Sequence, residues 1–552
     1  MLVSPFILLM KKITLSAALL PLLLLAAPAW AQQFDWVRTE PVSMTFNSQL
    51  TRYAAAADPA GNVAVAGFEA NRSTATNGLM LGDMALVGYS PTGAVRFRRR
   101  LSGGNAAITH LRYASAGSLL ALGIFKDSVR LGPGAVLRRS TPGTDKLPFL
   151  VSFDAVGVPQ WYVSLPQQLS STITACHDLS TDAAGNIYLA VSYANGDDAV
   201  LRYNPIASTP AVEVLRQTDA GYFSSFSRAA NGDFYLTGAC PEVNATFGGV
   251  AAARPYNYSH YLARYSASGQ LRWVRFMEDI TCAQPQVAAD DHGGVYFSVS
   301  LLHGGQRMGP FVTATPAQSN ELLLARLDTA GTWQWLRQPP SASGLAFGVA
   351  TVAGAPSLVV DAQGNAALAA TFRGSIPWPT GPTTSLGTGV YTDALVLSYD
   401  PAGTLRWVRP GGGLLMEMAH GLAQAPGGEL FLTGFSTSGP LTFGAAQGGP
   451  AMTTNQFFVT RLAALPTATR AGQTGRWQLA PNPAHPDTRL RFEPGAALPP
   501  AVVLSNALGQ TLRTLPISGP ETTIATAGLA PGLYWLRATA GAVRYQARLV
   551  VE

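Results

Sequence analysis

The chain runs to 552 residues, 47% of them hydrophobic and only 12% charged, with 56 Gly and 39 Pro. That balance excludes a disordered chain and a coiled coil and calls for many turns. Of the net charge of +6, two units sit in residues 1–31 and three in 474–552. The body between them is nearly neutral and lacks the basic footprint that phosphate backbones require, so no nucleic-acid partner is expected.

Taken in chain order, the first element is an export signal. Lys11 and Lys12 precede an apolar run from Ile13 to Ala27, and Ala29-Trp30-Ala31 follows as an A-x-A cleavage pattern. A basic start, a short apolar stretch and small residues at the cut predict a secretory signal peptide over 1–31. The run falls short of the ~20 residues that span a bilayer. No later run is longer, so the mature chain, beginning near Gln32, is expected to carry no transmembrane helix.

The middle of the chain repeats itself. Asp58-Pro-Ala-Gly61-Asn62 followed by Val63 to Gly67 returns around Gly117, Gly185, Gly232, Gly293, Gly364 and Gly427, at intervals of 56, 68, 47, 61, 71 and 63 residues. Asp bonds forward to its own backbone, Gly supplies positive φ, and a β-rich run follows; each copy reads as a hairpin. A second hairpin follows each first one. Its copies include Tyr261 to Trp273 around Gly269, Leu324 to Trp335 around Gly331, and Leu395 to Trp407 around Gly403. The third copy, near Val200 to Leu215, has lost its Gly and Trp.

Two hairpins per repeat make a four-stranded sheet, and seven such sheets set radially make a propeller. The expected fold is therefore all-β: a seven-bladed β-propeller over 32–465, then a small Ig-like β-sandwich. The outer-strand Trp should fill space between neighbouring blades. The seventh copy stops at Arg461-Leu462 without its Trp strand, and Phe34-Asp-Trp36-Val-Arg38 resembles Leu271-Arg-Trp273-Val-Arg275. Residues 34–38 are expected to close the last blade. With Phe247-Gly248 and Phe443-Gly444 added, these repeats resemble the bacterial seven-bladed propeller repeats known as SBBP over roughly 34–465. That resemblance implies a fold and a surface location, with no reaction attached.

Residues 466–476 read as a linker. Beyond them, short strand-like runs fill 477–552 and suggest a small β-sandwich. Pro481-Asn482-Pro483, Asn506 to Gly509, Leu529-Ala-Pro-Gly532-Leu-Tyr534 and a terminal strand with Arg548 look like the type A C-terminal sorting domain of type IX secretion substrates. The resemblance implies export by the type IX machinery. It also implies removal of the module by a surface sortase, with attachment to lipopolysaccharide or release.

Candidate chemistry is sparse. Cys240 ends the second strand of the fourth copy and Cys282 precedes the fifth, so Cys240–Cys282 is the preferred disulfide, with Cys176–Cys240 its rival and three thiols the simpler case. All three fall on one face of the expected ring. His110, His177 and His420 sit seven or eight residues before a turn Gly, near one mouth of the central channel. They are candidate ligand-binding residues there or, more simply, partly exposed histidines. No zinc or calcium spacing occurs, and H-E-x-x-H, G-x-S-x-G, a P-loop and the sialidase S-x-D-x-G-x-T-W box are absent, so no cofactor, metal or catalytic residue is assigned. Two functions remain: an exported, non-enzymatic module binding a glycan or protein, or an extracellular polysaccharide hydrolase or lyase. Acidic side chains converging about 5–10 Å apart in one pocket would favour the second.

Overall fold

The computed structural model describes residues 32–42, 54–71 and, with short internal gaps, 82–464 and 477–552. The expected signal peptide and linker lie outside the described residues. The described elements are β-strands. Among the described residues no helix is long and apolar enough to cross a membrane.

The inner turns follow from their aspartates. Asp58 Oδ1 accepts from the Ala60 and Asn62 amides at 2.9 and 2.8 Å, and the Gly61 amide donates to Asp58 O at 3.0 Å. Gly61 has a φ of 76°, which an L side chain rarely adopts. Asp182 and Asp361 bond forward in the same way. The last copy differs from the sequence reading. Its left-handed residue is Gly428, with φ 92°, and not Gly427. Pro426 presets the first corner of a turn that opens at Ala425, so the Gly428 amide closes it at 2.9 Å.

Each pair of hairpins forms a four-stranded antiparallel unit. Tyr222–Arg228 pairs with Phe234–Cys240, that with Ser259–Tyr265, and that with Leu271–Glu278. The same order recurs from Ile173–Thr181 to Val212–Thr218 and from Leu358–Val360 to Leu405–Gly411. Val95–Tyr113 serves two units, pairing at its start with Gly82–Tyr89 and at its end with Leu119–Phe125. The last unit takes Glu417–Gln424, Leu430–Ser436 and Gln456–Leu462 from one end of the domain and Phe34–Pro41 from the other. Val37 lies opposite Thr460 and Thr39 opposite Phe458. The closing strand is thus three residues longer than the sequence pattern marks.

The first strands of successive units touch in chain order, and Glu417–Gln424 in the last touches Ala54–Ala57 in the first. The contacts make a closed circuit. Middle strands such as Gly82–Tyr89 and Leu119–Phe125 are buried along their whole length, because neighbouring units cover both faces. That is why they read as unbroken apolar runs rather than as alternation. Core clusters span the seams: Leu120 and Leu150 pack with Leu189 and Leu201 of the next unit.

The outer-strand tryptophans do sit between units, and all but Trp161 bring an arginine two residues on. Trp335 donates its indole N–H to Pro401 O at 2.9 Å, and Arg337 donates Nε to Gly403 O at 2.7 Å while lying 5.3 Å from the Trp335 ring. Trp273 and Arg275 hold Thr329 O and Gly331 O in the same way. Trp36 and Arg38, in the closing strand, hold Pro91 O and Gly93 O of the first unit. Arg99 reaches Gly157 O, with Phe97 in the tryptophan's place. Arg409 meets the Gln32 carbonyl instead, because in the last unit the third and fourth strands come from opposite ends of the domain and no turn joins them.

Residues from Trp477 onward make two further sheets, one of three strands and one of four. They enclose their own core around Leu490, Leu504, Leu536 and Leu549.

Candidate functional site

The first strands leave between them a cavity of about 460 Å³ that every unit helps to line. The repeat register sets what each strand presents to it. Five residues before the left-handed glycine stand Ala56, Ser180, Ser227, Ala288, Val359 and Ala423, all on the cavity wall. The remaining copy has Arg112 at this level. Arg112 pairs with Leu120 as Ser180 pairs with Tyr188, so the equivalence is one of register and not only of counting.

Arg112 lines the cavity and is exposed to it. The protein packed around it disfavours its charge and lowers its pKa, and the nearby Asp178 carboxylate acts in the opposite sense. No hydrogen-bond or ion-pair partner holds its guanidinium among the described residues.

Asp178 lies one inward-facing position deeper, on the next strand of the circuit. Its Oδ1 accepts from the Leu179 amide at 2.8 Å, and its Oδ2 from the Phe226 amide of the following unit at 3.1 Å. Burial pushes the carboxyl up to about 6, against the pull of those amides, Arg112 and the Ser225 hydroxyl. Ser225 and Gln286 hold the equivalent positions on the next two strands, and Gln286 Oε1 accepts from the Ser357 amide at 2.7 Å. On the far wall Ala57, Val359 and Val360 are apolar. Arg228 also lines the cavity, stacked 4.8 Å over the Tyr188 ring.

The three histidines lie on first strands, as the spacing requires, but none lines this cavity. His177 and His420 are the extra residues of β-bulges, between the paired positions of Cys176 and Asp178 and of Ala419 and Gly421. A bulge turns its residue away from the regular alternation. His177 Nε2 lies 2.7 Å from Ser192 Oγ. His110, beside the bulge at Thr109, is buried, with Nδ1 3.0 Å from Thr109 Oγ1. His420 is buried too, and burial lowers it to about 4, so it is neutral at physiological pH.

Cys282 lies outside the described residues, and so does any Cys240–Cys282 bridge. The rival Cys176–Cys240 bridge is not formed: Cys176 is a free, buried thiol. The two sulfurs belong to different cores, Cys176 with Leu179 and Ile187, Cys240 with Phe247 and Tyr261. Among the described residues no three His, Cys, Asp or Glu side chains gather as a metal set.

One acidic pair does converge, away from the channel. Asp393 and Glu417 are both fully buried. Glu417 accepts from the Gly413 amide at 2.6 Å and the Ser436 hydroxyl at 2.8 Å. Asp393 Oδ2 accepts from the Leu386 amide, and both carboxyls border Gly412. Burial first, and then Glu417, push Asp393 up to about 7. Asp393 borders a second cavity of about 430 Å³ with Phe34, Arg409 and Thr442. Neither carboxyl lines the channel cavity.

In the C-terminal module, Asn482 clasps the last strand. Its Nδ2 donates to Arg548 O at 2.7 Å and its Oδ1 accepts from the Val550 amide at 2.8 Å. Pro481 O accepts from the Thr488 hydroxyl at 2.6 Å, and Tyr534 donates to Ala530 O at 2.7 Å. Pro483 is exposed, Gly532 opens the strand Gly532–Ala540, and Gly509 lies outside the described residues.

Arg112 and Asp178 were not singled out from the sequence. The signal was present: at one register position, six copies carry Ala, Ser or Val and one carries Arg. An internal repeat supplies its own alignment, and a charge that breaks it marks a candidate site.

No family model matches the chain, and no curated protein does. Among solved structures, a protein of unknown function from Bacteroides caccae matches at 12% identity and a TM-score of 0.28, over 52% of this chain and 80% of that one. The Chaetomium thermophilum Sqt1, bound to the N-terminus of ribosomal protein L10, matches at 12% identity and a TM-score of 0.34, over 72% of this chain and 98% of that one. Neither likeness carries a function to this chain.

Proposed function

We propose that the chain is an exported seven-bladed β-propeller that binds its ligand in the central channel, followed by a small β-sandwich that serves as a type IX sorting signal. Counted as blades, the four-stranded units number seven. The observation that carries the reading is the closed circuit of first strands around a mostly short-walled cavity, with Arg112 where the other six copies carry Ala, Ser or Val. The residues that resemble a sorting motif support the second half: Asn482 ties the motif to the final strand, so both form one surface feature. The partners under this reading are the type IX machinery and its sortase, surface lipopolysaccharide if the product stays attached, and a glycan or protein ligand. His110, His177 and His420 stay candidates for the channel mouth.

Removing residues 474–552 should leave the propeller folded but held in the periplasm; surface delivery of that truncation overturns the sorting assignment. A glycan-array screen of the purified chain, with product analysis, tests the binding half. Turnover of any polysaccharide would replace it with the hydrolase or lyase reading.

A further inference from the structure

We infer that the channel is a receptor for a small hydroxylated molecule bearing one oxyanion, a carboxylate or a phosphoryl group, with Arg112 holding the anion and Asp178 accepting from a hydroxyl. This rests on the channel-binding reading above and names the chemistry of its ligand.

The argument begins with an unused set of donors. A guanidinium exposed to a cavity and held by no protein acceptor is free to bind an anion that enters. Arg112 has Asp178 in its neighbourhood but no acceptor in contact among the described residues. Asp178 takes one amide on each oxygen, from Leu179 and Phe226, and keeps further lone pairs for a hydroxyl. Five N–H donors in a rigid fork therefore point at nothing the chain supplies. That fork matches a carboxylate or phosphoryl oxygen pair better than any neutral group.

The surroundings favour occupancy. At the level of Arg112 the other six copies carry Ala, Ser or Val, so a long side chain reaches across open space. The deeper level offers Asp178, Ser225 and Gln286, which suit hydroxyls. Asp178 also selects against a bulkier anion, because a second negative group set beside it is repelled. The cavity of about 460 Å³ falls within the range of small-ligand sites and excludes a folded partner. Of the other charges on the wall, Asp291 accepts from the Ala230 amide at 3.0 Å, and Arg228 stacks on Tyr188 while its Nε has no hydrogen-bond partner among the described residues.

The test is calorimetric titration of the purified full chain with glucuronate, glucose 6-phosphate, inorganic phosphate and glucose, repeated on R112Q and D178N. Binding of glucuronate or glucose 6-phosphate, with no binding of glucose, is expected, and which of the two binds identifies the anion. R112Q should weaken it by about tenfold or more, the size of one charge-assisted contact. Its own melting point should hold, since Arg112 is exposed to the cavity and has no hydrogen-bond or ion-pair partner to lose among the described residues. If R112Q does not fold, R112K retains the charge without the fork and should bind more weakly than the parent. D178N should weaken the sugar acids and leave inorganic phosphate unchanged. Two results would overturn the inference: no anion binding at millimolar concentration, or R112Q binding as well as the parent. In either case a ligand found by the glycan screen would leave the broader binding reading standing.

Discussion

Two stretches of the circuit are built from the same repeat and held differently. Between the unit ending in Trp333–Arg337 and the next, Trp335 and Arg337 grip the outer turn at Pro401 and Gly403. In the unit from Ile173–Thr181 to Val212–Thr218, Glu213 stands opposite Arg202, where Trp335 stands opposite Arg326. The preceding unit keeps Trp161 but has Val163 in the arginine's place, and Trp161 only meets the Tyr203 ring edge-on at 6.4 Å. The difference separates two jobs. Apolar packing between sheets is enough to assemble neighbours. The Trp–Arg pair adds direction, because it reads two carbonyls of one specific turn.

The largest expected effect comes from breaking the grip that also closes the circuit. Trp36 is buried and hydrogen-bonded to the first unit, so Trp36→Ala should cost about 3–5 kcal/mol in denaturant unfolding. Trp161→Ala, at the half-exposed ungripped seam, should cost clearly less; equal losses would show that the grip adds nothing to packing.

Next is the turn that is gripped. Gly403 has φ 80°, and a methyl group there would lie 2.8 Å from the Trp335 ring. Gly403→Ala should lose about 1–3 kcal/mol through strain and displacement of the indole. Gly134→Ala, at φ 74° but with open space around it, isolates the conformational part and should lose about 1 kcal/mol.

Charge at the seams gives a smaller, pH-dependent effect. Burial raises Asp393 and Asp198 to about 7 and Asp178 to about 6. Between about pH 4 and 7 the folded chain therefore holds protons that the unfolded chain has released, and stability falls as pH rises through that window. Below it, Asp182 and Asp290, held under the usual carboxylate range by their hydrogen bonds despite burial, lose their contribution. The melting point should peak near the lower edge of the window. Asp393→Asn should flatten the fall and raise the melting point at pH 8. An unchanged profile would mean that the pair is not the titrating unit.

The smallest effect is a gain. Glu213→Trp restores the missing ring at the ungripped seam and should raise the melting point by a few degrees at most. A loss would show that this seam follows a different geometry from its neighbours.

The repeat made most of this legible from sequence. Gly61, Gly185 and Gly364 marked turns whose aspartates bond as their chemistry demands, and Trp36 announced a strand that pairs with Gln456–Leu462. Local chemistry decides such features. Gly427 was misread because two adjacent glycines fit the pattern equally, and only Pro426 distinguishes them. The histidines were harder still. His177 and His420 sit on bulges, and a bulge is set by how two strands pair, not by the residues of one. Asp393 and Glu417 are brought together only by the folded sheets. Arg112 lay in plain view, but its meaning depended on knowing that Ala56 and Val359 stand beside it.

Among the described residues Gln456–Leu462 is the one strand that pairs with Phe34–Pro41, and more than 400 residues separate them. A chain made from its amino end carries that strand unmatched until almost everything behind it has followed. The piece that is made early is the piece that settles last, and until then the circuit stays open.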